Sequence, residues 1–331
     1  MRINLQEDVA YKRVSPGLEQ YRFIHNALPD LNLEDVDVGA DFLGKRLSAP
    51  LLISAMTGGV PEAKALNRRL ARAAQGAGIA MGVGSQRAAI EDPSLADTYR
   101  VRDVAPDVLL LANLGAIQLN CGYGPDECKR AVDMIQADGL VLHLNPMQEA
   151  LQPEGQTQFA GLLRQIKAVC RALEVPVVVK EVGFGISEDA ARRLAGAGVA
   201  AIDVAGAGGS SWSQVEMHRA NSGRQREAAA VFADWGIATA ESLVMAKAGA
   251  PRLPVVASGG IRNGLEVAKA IALGARACGI AGPLLRAASE SDEAVADLIA
   301  GLVVQLRVAL FGVGAGDLDA LRNTPLRRYA G

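Results

Sequence analysis

The sequence predicts a single (β/α)₈ barrel, also called a TIM barrel, and three observations favour this fold. Eight short apolar runs follow one another from Pro50 onward, most of them separated by segments with helical spacing. Such alternation is typical of parallel strands joined by right-handed helical crossovers. A glycine-rich turn, Ser258-Gly259-Gly260, follows the seventh run, and no linker divides the chain. A closed barrel is therefore favoured over the alternative, an open doubly wound sheet.

The elements are expected in the following order along the 331 residues. Residues 1–48 are polar and predict an N-terminal extension that lies across the barrel. Apolar runs predict strands at 51–55, 79–83, 108–112, 140–144, 175–179, 200–204, 254–257 and 277–280. Helical spacing is found over 63–77, 159–173 and 265–273, and residues 287–325 predict helix eight and a terminal amphipathic helix. The segment 205–236 predicts a long active-site loop within one domain spanning 1–331.

Composition argues against several classes of partner. The chain has 34 Lys and Arg against 36 Asp and Glu, and the basic residues are dispersed, so neither nucleic acid nor a membrane surface is expected. The four cysteines have no C-x-x-C spacing, as expected for reduced thiols in a cytoplasmic protein. No apolar signal-peptide core is present in the first eight residues, and no uninterrupted run of ~18 apolar residues predicts a membrane span. We therefore expect a cytoplasmic location.

The turn at Gly259-Gly260 predicts a phosphate site. Two glycines at a strand-to-helix turn allow the backbone to approach a ligand closely, and the following helix directs its N–H groups at an anion. The loops after strands seven and eight of such barrels frequently bind phosphate. This turn is therefore the first candidate for a functional site.

Polar side chains follow the predicted strands at their carboxyl ends, where the active sites of these barrels lie. They are Thr57 after strand one, Ser85 and Arg87 after strand two, Asn113 after strand three, His143, Asn145, Gln148 and Glu149 at strand four, Lys180 and Glu181 at strand five, and Ser210 and Trp212 after strand six. A barrel gathers these positions into one ring, so the sequence predicts an active site there.

Several of these side chains suggest a role beside an ordinary structural alternative. Lys180 suits an anionic cofactor or a Schiff base, or it pairs with a neighbouring carboxylate. Glu149 suits Mg²⁺ shared with a substrate phosphate, or it stabilises the first turn of a helix. Arg87 suits bidentate phosphate recognition, or it is a solvated charge. His143 taken alone is more typical of a core histidine, and its functional interpretation rests on Asn145, Gln148 and Glu149, which follow directly.

Read together, these residues resemble the type 2, FMN-dependent isopentenyl-diphosphate isomerases from about Val9 onward. The resemblance rests on the stretches 55–59 (AMTGG), 84–87 (GSQR), 112–115 (ANLG), 143–149 (HLNPMQE), 179–183 (VKEVG), 203–206 with 208–212 (DVAG and GGSSW), and 257–262 (ASGGIR). Other FMN barrels share the last stretch, whereas the fourth and fifth together are specific to this family.

The resemblance implies that isopentenyl and dimethylallyl diphosphate are interconverted in isoprenoid biosynthesis, by proton addition and removal with reduced FMN. It implies Mg²⁺, NADPH to reduce the flavin, and a homotetramer or larger homo-oligomer. FMN would be held by Ala55, Met56, Thr57, Ser85, Asn113, Lys180 and Ser210, with its phosphate at Gly259, Gly260, Ile261, Ala281 and Gly282. The substrate would contact Ser85, Arg87, His143, Asn145, Gln148, Trp212 and Glu216. Gln148, Lys180 and His143 would be the catalytic residues, and Glu149 would hold Mg²⁺.

Two departures from the family pattern leave alternatives open. Family members usually carry an N-terminal Arg-Lys-x-x-His segment that binds the diphosphate, which residues 2–6 do not reproduce. Ala205 and Ser210 stand where the family often has Ser and Thr. One alternative is a flavin-binding barrel with impaired activity. Another is an FMN-dependent 2-hydroxy-acid oxidoreductase, disfavoured because the turn after strand six has no histidine. A third is an aldolase that uses Lys180 as a Schiff base.

Overall fold

A closed barrel of parallel strands forms the centre of the molecule, which the computed structural model describes for residue 3 and residues 6–329. Three short strands precede it in the chain: β1 (Tyr21–Phe23), β2 (Ala40–Phe42) and β3 (Lys45–Leu47). The barrel strands are β4 (Leu51–Ile53), β5 (Ala80–Gly82), β6 (Leu110–Gly115), β7 (Gly139–Leu144), β8 (Val177–Glu181), β9 (Ala201–Asp203), β10 (Val255–Ser258) and β11 (Ala277–Ile280). Each pairs with the next and β11 pairs with β4, which confirms the (β/α)₈ barrel and excludes the open sheet.

Helices cover the outer face of the barrel, and those with the clearest apolar periodicity begin and end within a few residues of their predicted bounds. The helices are α1 (Pro61–Ala77), α2 (Arg87–Glu91), α3 (Pro125–Ile135), α4 (Pro146–Leu151), α5 (Leu162–Ala172), α6 (Glu188–Ala197), α7 (Trp212–Arg219), α8 (Gly223–Val231), α9 (Thr239–Gly249), α10 (Gly264–Ala272), α11 (Gly282–Glu290), α12 (Asp292–Val313) and α13 (Leu318–Arg322). Short 3₁₀ helices occupy Leu18–Gln20, Leu33–Asp35, Pro93–Thr98 and Ala116–Asn120.

One layer of apolar side chains fills the barrel interior. Alternate residues of a strand point to the same face, so each strand contributes an inward position to a layer. The inward residues are Leu52, Ala80, Leu111, Val141, Val178, Ala201, Val256 and Ala277. Phe42 and Leu47, from the antiparallel hairpin of β2 and β3, pack against this layer. The hairpin therefore closes the end of the barrel at which the strands begin.

The N-terminal segment lies along the loop that follows β9. The Tyr11 N–H donates to the Gly209 carbonyl at 3.0 Å, and the Ser211 N–H donates to the Val9 carbonyl at 2.8 Å. Further on, β1 pairs antiparallel with β12 (Leu326–Arg328). Residues 2, 4 and 5, on which the expectation of a missing diphosphate-binding segment partly rests, lie outside the described residues.

The segment 205–236 after β9 is largely helical, because it contains α7 and α8. A parallel bridge joins Ala207 to Ala238 at its base, and the Ala207 N–H donates to the Ile237 carbonyl at 2.8 Å. The long excursion predicted after strand six therefore carries regular structure, and it returns to the barrel beside the point where it left.

Helix α12 is long and apolar enough, by length and composition, to cross a membrane, with a mean hydropathy of 1.9 in its most apolar window. Only 28% of that window is buried. Its buried side chains, Val295, Ile299, Leu302, Leu306 and Leu310, recur at helical spacing and form the stripe expected of a helix packed on a barrel. Polar residues interrupt the apolar run in the sequence, which is why no continuous span was predicted there.

Candidate active site

Directly beyond the apolar layer, the next inward position of every barrel strand is polar or glycine. These positions are Ser54, Gly82, Asn113, His143, Lys180, Asp203, Ser258 and Gly279, each two residues beyond an apolar inward residue. Because strand residues two apart share a face, the same alternation that builds the core also directs these groups inward. They form the floor of the candidate active site at the carboxyl ends of the strands.

Lys180 lies in the strand register between His143 on β7 and Asp203 on β9. Its Nζ donates to the carbonyl of Glu181 at 2.6 Å, and it forms no ion pair within residues 6–329. Burial raises the pKa of the Asp203 carboxyl, while the charge of Lys180 opposes that rise. Asp203 Oδ1 accepts from the Ser258 hydroxyl at 2.6 Å, and its Oδ2 is buried without a partner. Lys180 thus presents a cation to the cavity, with Asp203 behind it.

His143 has a defined tautomer. Asn113 donates through Nδ2 to the Val83 carbonyl at 3.1 Å, so its Oδ1 faces His143 Nδ1 at 2.9 Å as an acceptor. His143 Nδ1 therefore carries the proton, and Nε2 is left as an acceptor. Burial, with a contribution from Lys180, lowers the pKa of His143 to about 4, so the ring is neutral at physiological pH.

A network of amides and carboxylates follows β7. Asn145 Nδ2 donates to Glu149 Oε1 at 2.8 Å and to Gln148 Oε1 at 3.2 Å. Gln148 Nε2 in turn donates to Glu216 Oε1 at 3.0 Å, which joins α4 to α7. Glu216 is fully buried and ion-paired with Arg219 at 2.9 Å, and burial raises the pKa of its carboxyl. The acceptor oxygen of Asn145 is buried and has no partner in the described residues.

Glu149 is the one predicted metal ligand, and its surroundings allow only part of a coordination shell. Its Oε2 accepts from Gln152 Nε2 and from the Gln156 N–H, both at 2.7 Å. No group of three or more His, Cys, Asp or Glu side chains gathers anywhere in residue 3 and residues 6–329. Because Oε1 also accepts from Asn145, one lone pair of the carboxylate is left free. A single carboxylate of this kind fits Mg²⁺ that takes most of its oxygens from substrate phosphate and water.

The residues predicted to hold FMN converge on one cavity. Ten of the twelve residues predicted to hold FMN line it: Ala55, Met56, Thr57, Lys180, Ser210, Gly259, Gly260, Ile261, Ala281 and Gly282. Trp212, a predicted substrate contact, lines the same cavity. Ser85 instead lines an adjoining cavity together with Met56 and Thr57. Asn113 reaches the site through its hydrogen bond to His143. The structure thus brings the predicted cofactor residues together around the mouth of the barrel.

The glycine turn forms a cradle that side chains would fill. Gly259 and Gly260 have φ values of 106° and 76°, a region that L-residues rarely adopt. A Cβ atom at Gly260 would lie 2.4 Å from the Gly208 carbonyl oxygen, and one at Gly259 would lie 2.1 Å from the Gly206 carbonyl oxygen. Helix α11 begins beside this turn at Gly282, and its N–H groups favour an anion. The phosphate of FMN fits this cradle.

Arg87 lies outside the main cavity. Its Nε is ion-paired with Glu91 at 2.8 Å, and this partner raises the pKa of its guanidinium. The charge of Glu149 also makes a small contribution to this raised pKa, so the two residues predicted to bind diphosphate and metal interact electrostatically.

Sequence reasoning assigned no role to Glu181, Asp203 or Arg286. Arg286, on α11, lines the cavity, and Glu181 and Asp203 are buried carboxylates beside it. Asp203 could have been found from the alternation of β9, since it lies two residues beyond the inward Ala201. No sequence signal distinguishes Arg286 from the other arginines of the chain.

Similarity to known proteins identifies first the class of protein and then the family to which the chain belongs. A family model described as FMN-dependent dehydrogenase matches residues 128–328, so the barrel and its glycine cradle define a barrel of the FMN-binding class. The protein named isopentenyl-diphosphate delta-isomerase in Nostoc sp. is 53% identical to this chain, over 98% of this chain and 93% of its own length. The protein of the same name in Synechocystis sp. is also 53% identical to this chain, with the same coverage. A third, from Synechococcus sp., is 52% identical over 99% of this chain and 94% of its own length. The chain belongs to the isopentenyl-diphosphate delta-isomerase family.

Solved structures of mandelate oxidase share the fold. One, with the monooxide FMN adduct, has a TM-score of 0.67 and 21% identity over 95% of this chain and 90% of its own. Another, with benzoyl-formic acid, has a TM-score of 0.66 and 22% identity over 95% and 88% of the two chains. At this identity the likeness concerns the architecture of the barrel alone.

Proposed function

We propose that this chain interconverts isopentenyl diphosphate and dimethylallyl diphosphate, using FMN held in the cavity at the mouth of the barrel. The observation that carries the proposal is the high identity to the isopentenyl-diphosphate delta-isomerases over nearly the whole chain. The chemistry of the site agrees with it. The turn after β9, residues 205–211, has no histidine to act as the base that 2-hydroxy-acid oxidation needs.

Lys180 is proposed to balance the negative charge of the flavin. When bound, reduced FMN supplies and recovers the proton that moves between the two alkene positions. No ordinary side chain has a pKa suited to protonating an unactivated alkene. Lys180 is close to the buried Asp203 and carries its charge into the cavity, where a cation favours an anionic ring. Ala55, Met56, Thr57, Ser85, Asn113 and Ser210 are proposed to contact the ring system, and Gly259, Gly260, Ile261, Ala281 and Gly282 its phosphate.

The substrate is proposed to lie between this cavity and the network after β7. His143 offers a neutral ring with Nε2 as an acceptor, because Asn113 holds the Nδ1 proton. Gln148 is proposed to orient the reacting end of the substrate and to relay a proton with Glu216, to which it is hydrogen-bonded. Asn145, Ser85, Arg87 and Trp212 are proposed as further substrate contacts.

The proposed function also includes a metal ion, Mg²⁺, a reductant for the flavin, NADPH, and a homo-oligomeric state. Glu149 would hold Mg²⁺ against the diphosphate, since its oxygens are already oriented by Asn145 and Gln152. NADPH would reduce the flavin before turnover. The resemblance to the family supports a homotetramer or larger homo-oligomer. The four cysteines, all free and without C-x-x-C spacing, agree with the proposed cytoplasmic location.

An anaerobic assay tests the proposal. The protein is incubated with FMN, Mg²⁺, NADPH and isopentenyl diphosphate, and dimethylallyl diphosphate is measured together with NADPH consumption. Product without stoichiometric use of NADPH supports isomerisation. Bound FMN without product supports the impaired-barrel alternative, and FMN reduction by a 2-hydroxy acid supports the oxidoreductase.

The role of Lys180 has a matched control. Lys180→Ala should lower kcat by about 100-fold or more, because it removes a charge placed at the reacting centre. Lys167→Ala removes an exposed lysine on α5 and should leave kcat unchanged. Circular dichroism should show both variants folded. Equal activity of Lys180→Ala and the control would contradict the role.

A further inference from the structure

A second cluster of basic residues lies at the opposite end of the barrel from the candidate active site. It lines a cavity of about 550 Å³ bounded by the turn of the β2–β3 hairpin, the residues that precede β10 and β11, and α13. Four cations line this cavity: Lys247, Arg252, Arg276 and Arg322. Its volume falls in the range of small-molecule sites. No residue of this cavity belongs to the proposed FMN site.

Carboxylates neutralise only part of this charge. Asp319 is ion-paired with Arg322, and Asp41, which also lines the cavity, is paired with Arg46 at 3.4 Å. Lys247 Nζ donates to carbonyls alone, those of Pro251 at 3.0 Å and Leu253 at 3.4 Å. Within residues 6–329, the side chains of Arg252 and Arg276 have no ion pair or hydrogen bond. The excess is local, because the chain as a whole has a formal net charge of −2.

The cations act on one another. Burial lowers the pKa of the Lys247 ammonium, and the guanidiniums of Arg276 and Arg322 lower it further. Burial likewise lowers the pKa of Arg322, with a contribution from Arg276, and the carboxylates of Asp319 and Asp317 only partly oppose this shift. One nitrogen of Arg322, Nη2, is buried without a hydrogen-bond partner. A protein that gathers like charges in this way stores a repulsion that a bound anion would remove.

We propose that this cavity binds a small anion that carries a phosphate or diphosphate group. The planar guanidiniums of Arg252, Arg276 and Arg322 suit bidentate contact with phosphate oxygens, and Lys247 adds a point charge. Leu43, Leu253 and Pro254 line the same cavity and give an apolar wall for the remainder of the ligand. The site is independent of the proposed catalytic function, because it lies on the far side of the apolar layer.

Isothermal titration with inorganic diphosphate tests the proposal. The FMN-loaded protein is used at low ionic strength with EDTA and without Mg²⁺, which disfavours diphosphate binding beside Glu149. Arg276→Gln and, separately, Arg252→Gln should each weaken binding by about tenfold, because each removes a charge-assisted contact. Arg171→Gln, an exposed arginine on α5, makes the same change of charge and should leave the affinity as in the wild type.

Two further measurements make the result decisive. Arg87→Gln removes a proposed diphosphate contact at the candidate active site, so the tenfold losses caused by Arg252→Gln and Arg276→Gln should persist when they are combined with it. Thermal unfolding should show every variant folded. Arg252 is exposed, so its variant remains informative even if Arg276→Gln unfolds. The proposal is overturned if diphosphate does not bind, if both cavity variants bind as the wild type does, or if only Arg87→Gln loses affinity.

Discussion

At Gly260, the backbone conformation controls whether a phosphate can approach the turn. Its φ of 76° disfavours any L side chain, and a Cβ atom would lie 2.4 Å from the Gly208 carbonyl oxygen. We expect Gly260→Ala to weaken FMN binding by about tenfold or more, measured by fluorescence titration of the apoprotein, because the turn must shift to relieve the contact with Gly208.

A glycine outside the turn provides the control for the expected loss of FMN affinity in Gly260→Ala. Gly301 lies in α12, and a Cβ atom there would meet nothing within 4 Å. Gly301→Ala should leave FMN affinity unchanged and should stabilise the helix by up to about 1 kcal/mol. Unchanged FMN affinity in Gly260→Ala would show that the phosphate is held elsewhere.

Glu181 is a buried carboxyl whose charge state bears on stability. Its Oε2 accepts from the N–H groups of Val182 at 2.6 Å, Gly183 at 2.7 Å and Phe184 at 2.5 Å, and so shapes the turn after β8. Burial nevertheless raises the pKa of this carboxyl from 4.5 to about 7. The folded state therefore holds a proton between these two pH values that the unfolded state has already released.

Stability should fall as the pH rises through this interval. The contribution of Glu181 is complete below pH 4.5 and is lost by about pH 7, a change of up to about 3 kcal/mol in the free energy of unfolding. Glu181→Gln keeps an oxygen acceptor and cannot titrate. As the pH rises from 4.5 to 7, the free energy of unfolding of the variant should therefore increase relative to that of the wild type. Urea unfolding at several pH values measures the free energy of unfolding of both proteins. If it changes with pH by the same amount in the wild type and in the variant, Glu181 does not contribute to the pH dependence.

At the scale of elements, the N-terminal segment is attached to two loops by one side chain. The Tyr11 hydroxyl lies 2.8 Å from both the Gly183 and the Trp235 carbonyl oxygens, in the loops that follow β8 and α8. The single hydroxyl proton is shared between these two acceptors, of which the Gly183 carbonyl is buried. Tyr11→Phe should lower the free energy of unfolding by about 1–3 kcal/mol, since it removes this donor. Chemical denaturation measures the change.

The same substitution at an exposed position provides the comparison. Tyr329 is 46% exposed, and its hydroxyl donates no hydrogen bond within the described residues. Tyr329→Phe should therefore change the free energy of unfolding by less than about 0.5 kcal/mol. A Tyr11→Phe protein as stable as this control would show that the segment is held by its backbone bonds alone.

The elements differ in how far the sequence predicts them. The barrel strands are continuous apolar runs, because both of their faces are buried, and all eight were predicted. Helices α7 and α8 were not predicted, because α7 buries Ser213, Gln214 and Glu216 and so lacks an apolar stripe. Strands β2 and β3 have only three residues each, too few for alternation to be distinguished from chance.

For the molecule as a whole, the β2–β3 hairpin closes the core at the end of the barrel where the strands begin. Phe42 is 2% exposed and packs against the inward layer of the barrel. Phe42→Ala should lower the free energy of unfolding by about 3–5 kcal/mol, because it opens a cavity beneath that layer. Thermal unfolding measures the loss, and Leu28→Ala, at a residue that is 86% exposed, should change little. A small effect at Phe42 would mean that the layer is closed without the hairpin.

The candidate site was predictable wherever it follows from the strands. Alternation places Asn113, His143 and Lys180 inside the barrel, and the barrel itself brings them together. The bond between Gln148 and Glu216 joins residues 68 positions apart through α7, so no local pattern could reveal it. The resemblance to a family named both residues, and the structure adds the contact between them.

The pairing of β1 with β12 affects how the chain is assembled during synthesis. Tyr21 lies opposite Arg328, and Leu51 of the first barrel strand lies opposite Cys278 of the last. At ~5–20 residues per second, a ribosome needs ~10–60 s to produce each late partner after the early one. During that time β4 has an unpaired edge, which can pair with other chains. A chain stalled before β11 is complete would keep open edges on both sides of its sheet.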